Sequence, residues 1–210
     1  MERKLAAILS ADVKGYSRLM GEDDEATIRT LTAYREVMTS LIEQHHGRVV
    51  DSPGDNLLAE FASAVNAVQG AVAIQKELRT RNRELPANRQ MAYRIGVNLG
   101  DVVADDGRLY GDGVNIAARL ESLAEAGGIC ISGKVFDEVK TKLALGYDYI
   151  GEQEVKNIAE PVRAYKVQLD SDETAPPTVS QKPPPLSPSE EKSPSRRWSI
   201  AALALGAVLV

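Results

Sequence analysis

The chain has 210 residues, of which 43% are hydrophobic and 26% charged, and its formal net charge is −5. This length accommodates one domain of ordinary size with an appendage and excludes two full domains. The pI near 5.2 argues against a nucleic-acid binder, because no basic excess exists to neutralise phosphates, and a single cysteine, Cys130, excludes an internal disulfide or a cysteine-based zinc site.

Strand and helix signals alternate along residues 1–170. The apolar run Leu5–Val13 predicts a strand. Either Asp23 or Asp24 can cap the helix that follows, whose apolar positions recur three and four residues apart. The sequence HHG at 45–47 is expected to end this helix, with the glycine in the left-handed conformation.

The rest of the domain continues the alternation. Two short apolar runs around SPGDN at 52–56 predict a β-hairpin, and a second amphipathic helix follows. The later predicted elements are a strand at Met91–Ala104, a helix from about Gly113 to Leu123, the strand GICIS, a helix from Lys134, and strands near Tyr147–Val155 and Val162–Leu169. This order predicts an α+β fold, a ferredoxin-like βαββαβ sheet with C-terminal additions and helices on one face.

The composition changes sharply near Asp170. Residues 171–195 contain 7 of the 10 prolines and no aromatic residue, which predicts a disordered linker. The segment 196–210 begins RRW and is then apolar, although it is shorter than the roughly 20 residues that span a bilayer. We expect it to begin a transmembrane helix at Trp198 that tethers a cytoplasmic domain to the inner membrane. The alternative is a hydrophobic tail that lies on a surface.

Two aspartates are candidate metal ligands. Asp12 ends the first strand, and Asp55 lies at the tip of the hairpin that neighbours this strand, so their carboxylates can converge. Two carboxylates with a backbone carbonyl suit Mg²⁺, which takes water and phosphate oxygens as further ligands. Gly15 permits a sharp turn whose amides can bind phosphates at the start of the next helix. The alternative is that Asp12 caps a strand end and Asp55 forms an Asx turn.

A third segment, YGDGVNIAARLES at 110–122, contains a polar pair. Asn115 and Arg119 are four residues apart and therefore share one face of a helix. The guanidinium of Arg119 suits a phosphate, and the amide of Asn115 suits a sugar hydroxyl or ring oxygen. The alternative for Arg119 is a surface salt bridge with Glu121 or Glu125.

Together these segments resemble the catalytic domain of the class III nucleotidyl cyclases, the adenylate and guanylate cyclases. The matching stretches are SADVKGYS at 10–17, PGDNLLAEF at 53–61 and YGDGVNIAARLE at 110–121. VKNIAEPVRAYKV at 155–167 resembles the closing strands of the family. The resemblance covers essentially residues 3–169, in order and at suitable separations.

The resemblance implies two catalytic centres in a head-to-tail homodimer, which convert ATP to 3′,5′-cyclic AMP and pyrophosphate for intracellular signalling. It implies that Asp12, Asp55 and the Val13 carbonyl bind two Mg²⁺ or Mn²⁺ ions per centre. It also implies that Asn115 and Arg119 reach in from the other chain and stabilise the transition state. The implied phosphate-binding residues are Gly15, Tyr16, Ser17 and Lys156.

The sequence departs from the family at the purine-selecting pair. Asp51 stands where a lysine is usual, and Arg108 stands where Asp, Thr or Ser is usual in adenylate cyclases. Across the dimer, this swapped pair is expected to line one purine pocket, with the carboxylate accepting from the exocyclic amine of adenine. The pair can instead form an inward salt bridge and leave the base unread.

ATP is the expected substrate, and a preference for GTP is the alternative. A second alternative is a cyclase-fold module with weak or no activity that dimerises or senses nucleotides. A site that has lost its activity should also have lost its candidate metal ligands and transition-state residues. Asp12, Asp55, Asn115 and Arg119 are all present, which favours an active enzyme.

Overall fold

The computed structural model describes residues 1–155, 158 and 160–169. The predicted linker at 171–195, the apolar segment at 196–210 and Lys156 lie outside the described residues. Within the described ranges, no helix combines the length and the apolar character needed to cross a membrane.

The described residues form one mixed sheet with helices packed against it, which confirms the α+β fold. The strands are β1 (Glu2–Val13), β2 (Gly47–Asp51), β3 (Leu57–Phe61), β4 (Tyr93–Asp105), β5 (Arg108–Tyr110), β6 (Ile129–Ser132), β7 (Gly146–Gln153) and β8 (Val162–Gln168). The helices are α1 (Tyr16–Glu22), α2 (Asp24–Gln44), α3 (Ala64–Asn82), α4 (Asp112–Leu123) and α5 (Gly133–Val139). The strand order is β2-β3-β1-β4-β6-β8-β7, with β5 paired to β4. The β4–β6 pair is parallel, and the other pairs are antiparallel.

Alternate residues of β1 belong to two different apolar clusters. Ala7 and Leu9 pack in the main core with residues of α2 and α3. Ala6 and Ile8 pack in a second cluster that includes Ala117 of α4. Successive side chains of a strand point to opposite faces, so α4 lies across the sheet from α2 and α3. The prediction of helices on one face is therefore wrong for α4, and β1 is buried on both sides.

The ends of α2 confirm one prediction and correct another. The Asp23 side chain accepts a hydrogen bond from the Ala26 amide at 2.9 Å and caps the helix. At the other end His46, and not Gly47, takes the left-handed conformation, with φ of 59°. Gly47 instead begins β2, where a Cβ atom would overlap the ring of Phe61. This position requires a glycine for close packing rather than for its φ angle.

The absence of a side chain at Gly96 lets α4 lie unusually close to the sheet. A Cβ atom there would overlap the carbonyl oxygen of Ala117 and the amide nitrogen of Glu121. This contact fixes the rotation of the helix about its own axis. The buried residues of α4 are Gly113, Ala117, Leu120 and Glu121.

We expect Gly96→Ala to lower the free energy of unfolding by about 2–3 kcal/mol, because the new methyl group meets backbone atoms that cannot move aside independently. Chemical denaturation measures this change. The matched control is Gly21→Ala on α1, where a Cβ would meet no atom within 4 Å. Alanine raises helix propensity there, so stability should stay the same or rise slightly. Equal losses in the two variants would contradict the close-contact argument.

Candidate active site

Asp12 lies near the end of β1, directly opposite Arg94 on β4. Nη2 of Arg94 donates a hydrogen bond to Oδ2 of Asp12, and the two side chains are 18% and 23% exposed respectively. Arg94 is not among the site residues predicted from the sequence. Its signal was a charged residue in the largely apolar first half of β4, YRIGV, which identifies an unusual position but not its partner.

Asp55 lies in the loop between β2 and β3. Arg35 on α2 anchors this loop, because its Nη2 donates to the carbonyl oxygens of Ser52, at 3.1 Å, and Gly54. Gly54 takes a positive φ of 57°, which closes the turn. Arg35 is likewise not predicted from the sequence, since nothing in α2 alone indicates a contact with the hairpin.

The structure brings the Asp12 and Asp55 carboxyl groups together at the end of β1, beside the loop between β2 and β3. Burial raises the pKa of Asp55, and the nearby charge of Asp12 raises this pKa further. Arg35 acts in the opposite direction by favouring the charged form. Two carboxylates that face each other repel, and a bound cation removes this repulsion.

This pair fits a hard divalent cation. Carboxylate oxygens are the ligands that Mg²⁺ prefers, and Mg²⁺ keeps waters or phosphate oxygens in its remaining positions. Among the residues that the structure describes, no group of three or more His, Cys, Asp or Glu side chains could enclose a metal. A cation held here would therefore depend on ligands beyond these side chains. Val13, whose carbonyl is the expected further ligand, ends β1 with its side chain in the core.

A buried carboxyl group, Glu121, lies beside this pair on α4. Its Oε2 accepts a hydrogen bond from Ser10 Oγ at 2.9 Å and lies 3.4 Å from Nδ2 of Asn56. Its Oε1 lies 3.6 Å from Nη2 of Arg94. Burial raises the pKa of Glu121 to about 7, because the charged form loses hydration. From the sequence, Glu121 was expected only as a surface partner of Arg119, and its burial was not predicted.

Asn115 and Arg119 lie on the exposed side of α4. With 100° of rotation per residue, both positions point almost directly away from the buried face centred on Ala117. Within the described part of the chain Arg119 forms no ion pair, since Glu121 faces Arg94 and Glu125 contacts Lys166. These two side chains therefore do not reach the Asp12–Asp55 pair of their own chain.

The expected phosphate-binding turn follows β1 directly. Gly15 has a positive φ of 77° and precedes α1. At the start of this short helix, Tyr16 packs against the core and Ser17 is exposed. The fourth expected phosphate ligand, Lys156, is outside the described residues.

Asp51 ends β2 and Arg108 begins β5, and both are exposed. The two strands adjoin within one chain, because Val50 and Leu109 pack in the same apolar cluster. The strands that carry the pair therefore lie side by side within one chain, and the shared purine pocket stays a prediction. No salt bridge joins Asp51 to Arg108 among the described residues, and Asp51 Oδ1 instead accepts from the Ser52 amide at 2.9 Å.

Comparison with known proteins agrees with this geometry. The sequence profile of the adenylate and guanylate cyclase catalytic domain matches residues 2–168. Putative adenylate cyclase 3 of Rhizobium meliloti is 44% identical over 191 residues, which are 90% of this chain and 32% of that protein. The chain thus spans about a third of the length of this relative.

Two solved structures have the same fold. The adenylate/guanylate cyclase/hydrolase from Silicibacter pomeroyi is 40% identical with a TM-score of 0.75, and the match covers 79% of this chain and 97% of that one. The adenylyl cyclase CyaB from P. aeruginosa is 26% identical with a TM-score of 0.70, and the match covers 80% and 95% respectively. A profile match over nearly all of the described residues, together with these likenesses, shows that the chain belongs to the adenylate and guanylate cyclase catalytic domain family.

Proposed function

We propose that the domain is an adenylate cyclase that converts ATP to 3′,5′-cyclic AMP and pyrophosphate at centres shared by two copies of the chain. The observation that carries this proposal is the opposite placement of its two polar sets. Asp12 and Asp55 converge beside the sheet, whereas Asn115 and Arg119 point away from it. One chain thus presents two halves of a centre, which a head-to-tail pair would join.

In this proposal Asp12, Asp55 and the Val13 carbonyl hold two Mg²⁺ or Mn²⁺ ions per centre. Ions bound there would lower the pKa of the ribose 3′-hydroxyl and neutralise charge on the triphosphate. The carboxylates supply the negative charge that attracts the cations, and Arg35 keeps Asp55 in place by holding its loop.

The other side chains bind and orient the nucleotide. The turn at Gly15 presents backbone amides to the phosphates, and Asn115 orients the ribose. The 3′-hydroxyl gives its proton to solvent water and its oxygen bonds to the α-phosphorus, while the bond from this phosphorus to the bridging oxygen breaks and pyrophosphate leaves. Arg119 takes up the charge that develops on the transferring phosphoryl group.

ATP is the proposed substrate because the Asp51 carboxylate can accept a hydrogen bond from the adenine 6-amino group. Guanine presents an oxygen at this position, which a carboxylate repels. Asp51 has no cationic side-chain partner among the described residues, so its remaining lone pairs are available to a base. The adenylate cyclase names of the relatives described above support the same choice.

We also propose that the domain works on the cytoplasmic side of a membrane, tethered by the segment that begins at Trp198. The support is the sequence alone, a pair of arginines followed by an apolar run. When cells that express the full chain are fractionated, the chain should sediment with the membranes. Recovery in the soluble fraction contradicts the tether.

The shared centre predicts that two inactive variants restore each other. Asp12→Asn and Arg119→Ala should each be nearly inactive alone, because each dimer then lacks one essential group in both centres. After the chains exchange, heterodimers contain one centre with neither lesion, so a mixture should regain roughly a quarter of wild-type activity. Cyclic AMP formation from ATP and Mn²⁺ measures this recovery.

The control for this experiment mixes Asp12→Asn with Asp55→Asn, which damage the same half of the centre and should stay inactive together. Differently tagged chains report whether exchange has occurred. An Asp12→Asn and Arg119→Ala mixture that exchanges and remains inactive contradicts the shared centre. Inactive wild-type protein would favour the non-catalytic dimerisation or nucleotide-sensing module.

Base choice is tested by Asp51→Ala. Loss of the Asp51 carboxylate leaves the 6-amino group of bound adenine without an acceptor, at a cost of about 1–3 kcal/mol. The ratio of kcat/KM for ATP to kcat/KM for GTP should therefore fall roughly 5- to 100-fold. The control is Asp148→Ala on β7, at the opposite edge of the sheet, which should not change the ratio. An unchanged ratio in folded Asp51→Ala would show that Asp51 does not read the base.

A further inference from the structure

Glu121 contacts both chain segments that carry the cation-binding carboxylates. Ser10, two residues before Asp12, donates a hydrogen bond to Oε2 of Glu121 at 2.9 Å. Asn56, the residue after Asp55, places its Nδ2 3.4 Å from the same oxygen. The Glu121 residue is only 5% exposed. A single buried carboxyl group thus links the end of β1 to the hairpin loop.

Glu121 also shares the Arg94 guanidinium with Asp12. Nη2 of Arg94 donates to Asp12 and lies 3.6 Å from Oε1 of Glu121. Nε of Arg94 is buried and has no hydrogen-bond partner within the described residues. The guanidinium of Arg94 therefore lies between the carboxylates of Asp12 and Glu121. Because it is attracted to both, it binds Asp12 less strongly than it would alone.

The position of Arg94 between two carboxylates affects how well Asp12 can bind a metal ion. Without the charge of Glu121, Asp12 would be the only carboxylate paired with Arg94 among the described residues. The Arg94–Asp12 pair would tighten, and a divalent cation would then compete with a full positive charge for the Asp12 oxygens. The buried side chain beyond the ligands would thus set their affinity for the cation, as neighbours of metal ligands commonly do.

We propose that Glu121 is a positioning residue that keeps Asp12 available to a divalent cation by holding Arg94, Ser10 and the Asp55 loop in place. This inference rests on the proposed function, because it assumes that Asp12 and Asp55 bind the cation. It assigns to Glu121 no contact with the nucleotide. Glu121 acts on the centre of its own chain, whereas Arg119, two residues earlier on α4, acts on the other centre.

The first test measures binding of Mn²⁺ alone to the full-length protein at pH 8, by electron paramagnetic resonance of the free ion. Glu121→Gln keeps the shape of the side chain and removes its charge, and we expect it to weaken binding about tenfold or more. The matched control is Glu125→Gln, an exposed position just after α4, which should bind Mn²⁺ as the wild type does. Wild-type affinity in folded Glu121→Gln would overturn the proposal.

Thermal unfolding separates positioning from a merely structural role. Burial already disfavours the charged form of Glu121, so glutamine should leave the unfolding midpoint at pH 8 unchanged or higher. Weaker Mn²⁺ binding without lost stability is the expected combination. A lower midpoint with unchanged Mn²⁺ affinity would assign Glu121 a structural role only.

Two further variants keep the proposal testable. In Glu121→Gln combined with Arg94→Gln, the competing cation is absent, so Mn²⁺ binding should recover toward wild-type affinity, and no recovery contradicts the competition. If Glu121→Gln does not fold, Ser10→Ala removes only the hydroxyl donor to Glu121. This variant should also weaken Mn²⁺ binding, and unchanged affinity there overturns the proposal.

The heterodimers described above show which centre Glu121 serves. In the active centre, the Arg119→Ala chain supplies the carboxylates and the Asp12→Asn chain supplies Arg119. Adding Glu121→Gln to the first chain should raise the Mn²⁺ requirement for activity, whereas adding it to the second should not. The reverse result contradicts the proposal.

If wild-type protein binds Mn²⁺ but forms no cyclic nucleotide, the proposed function fails. The comparison of Mn²⁺ binding between variants still decides the role of Glu121 in that case.

Discussion

The arrangement of this domain depends on the close approach of α4 to the sheet at Gly96. Backbone atoms of Ala117 and Glu121 occupy the space that a side chain would fill. The contact sets the rotation of α4, and one rotation has two consequences. Glu121 lies on the face of α4 that packs against the sheet and contacts Arg94, whereas Arg119 faces outward. A single methyl group added at Gly96 would displace α4 and shift Glu121 and Arg119 together, because both lie on one rigid helix.

Repulsion between carboxylates is the second constraint on the site. Burial and, to a smaller extent, the charge of Asp12 raise the pKa of Asp55, and burial raises the pKa of Glu121, so the folded chain keeps negative charge where it is unfavourable. Two arginines limit this cost from different elements. Arg35 holds the hairpin loop through its carbonyl oxygens, and Arg94 lies against Asp12. Such a site favours a bound cation, because the cation relieves repulsion that the fold maintains in its absence.

Local patterns predicted most of the elements correctly, because they depend on neighbouring residues. The Asp23 cap and the hairpin around SPGDN follow from capping and turn chemistry, which act over a few positions. The errors occurred where distant residues compete. His46 takes the left-handed conformation because Gly47 must lie against Phe61. The short strand β5 was not predicted, since its three residues form a strand only by pairing with β4.

The sequence by itself determined which side chains are available for chemistry and which of them share a helix face. The spacing of four between Asn115 and Arg119 is sufficient for this, because helical periodicity is local. Only the tertiary structure decided which way that face points, and which buried groups surround Asp12. Ser10 and Glu121 are 111 positions apart and meet through strand register and the packing of α4 on Gly96. Such contacts arise from the packing of whole elements, and a one-dimensional pattern of residue types does not contain them.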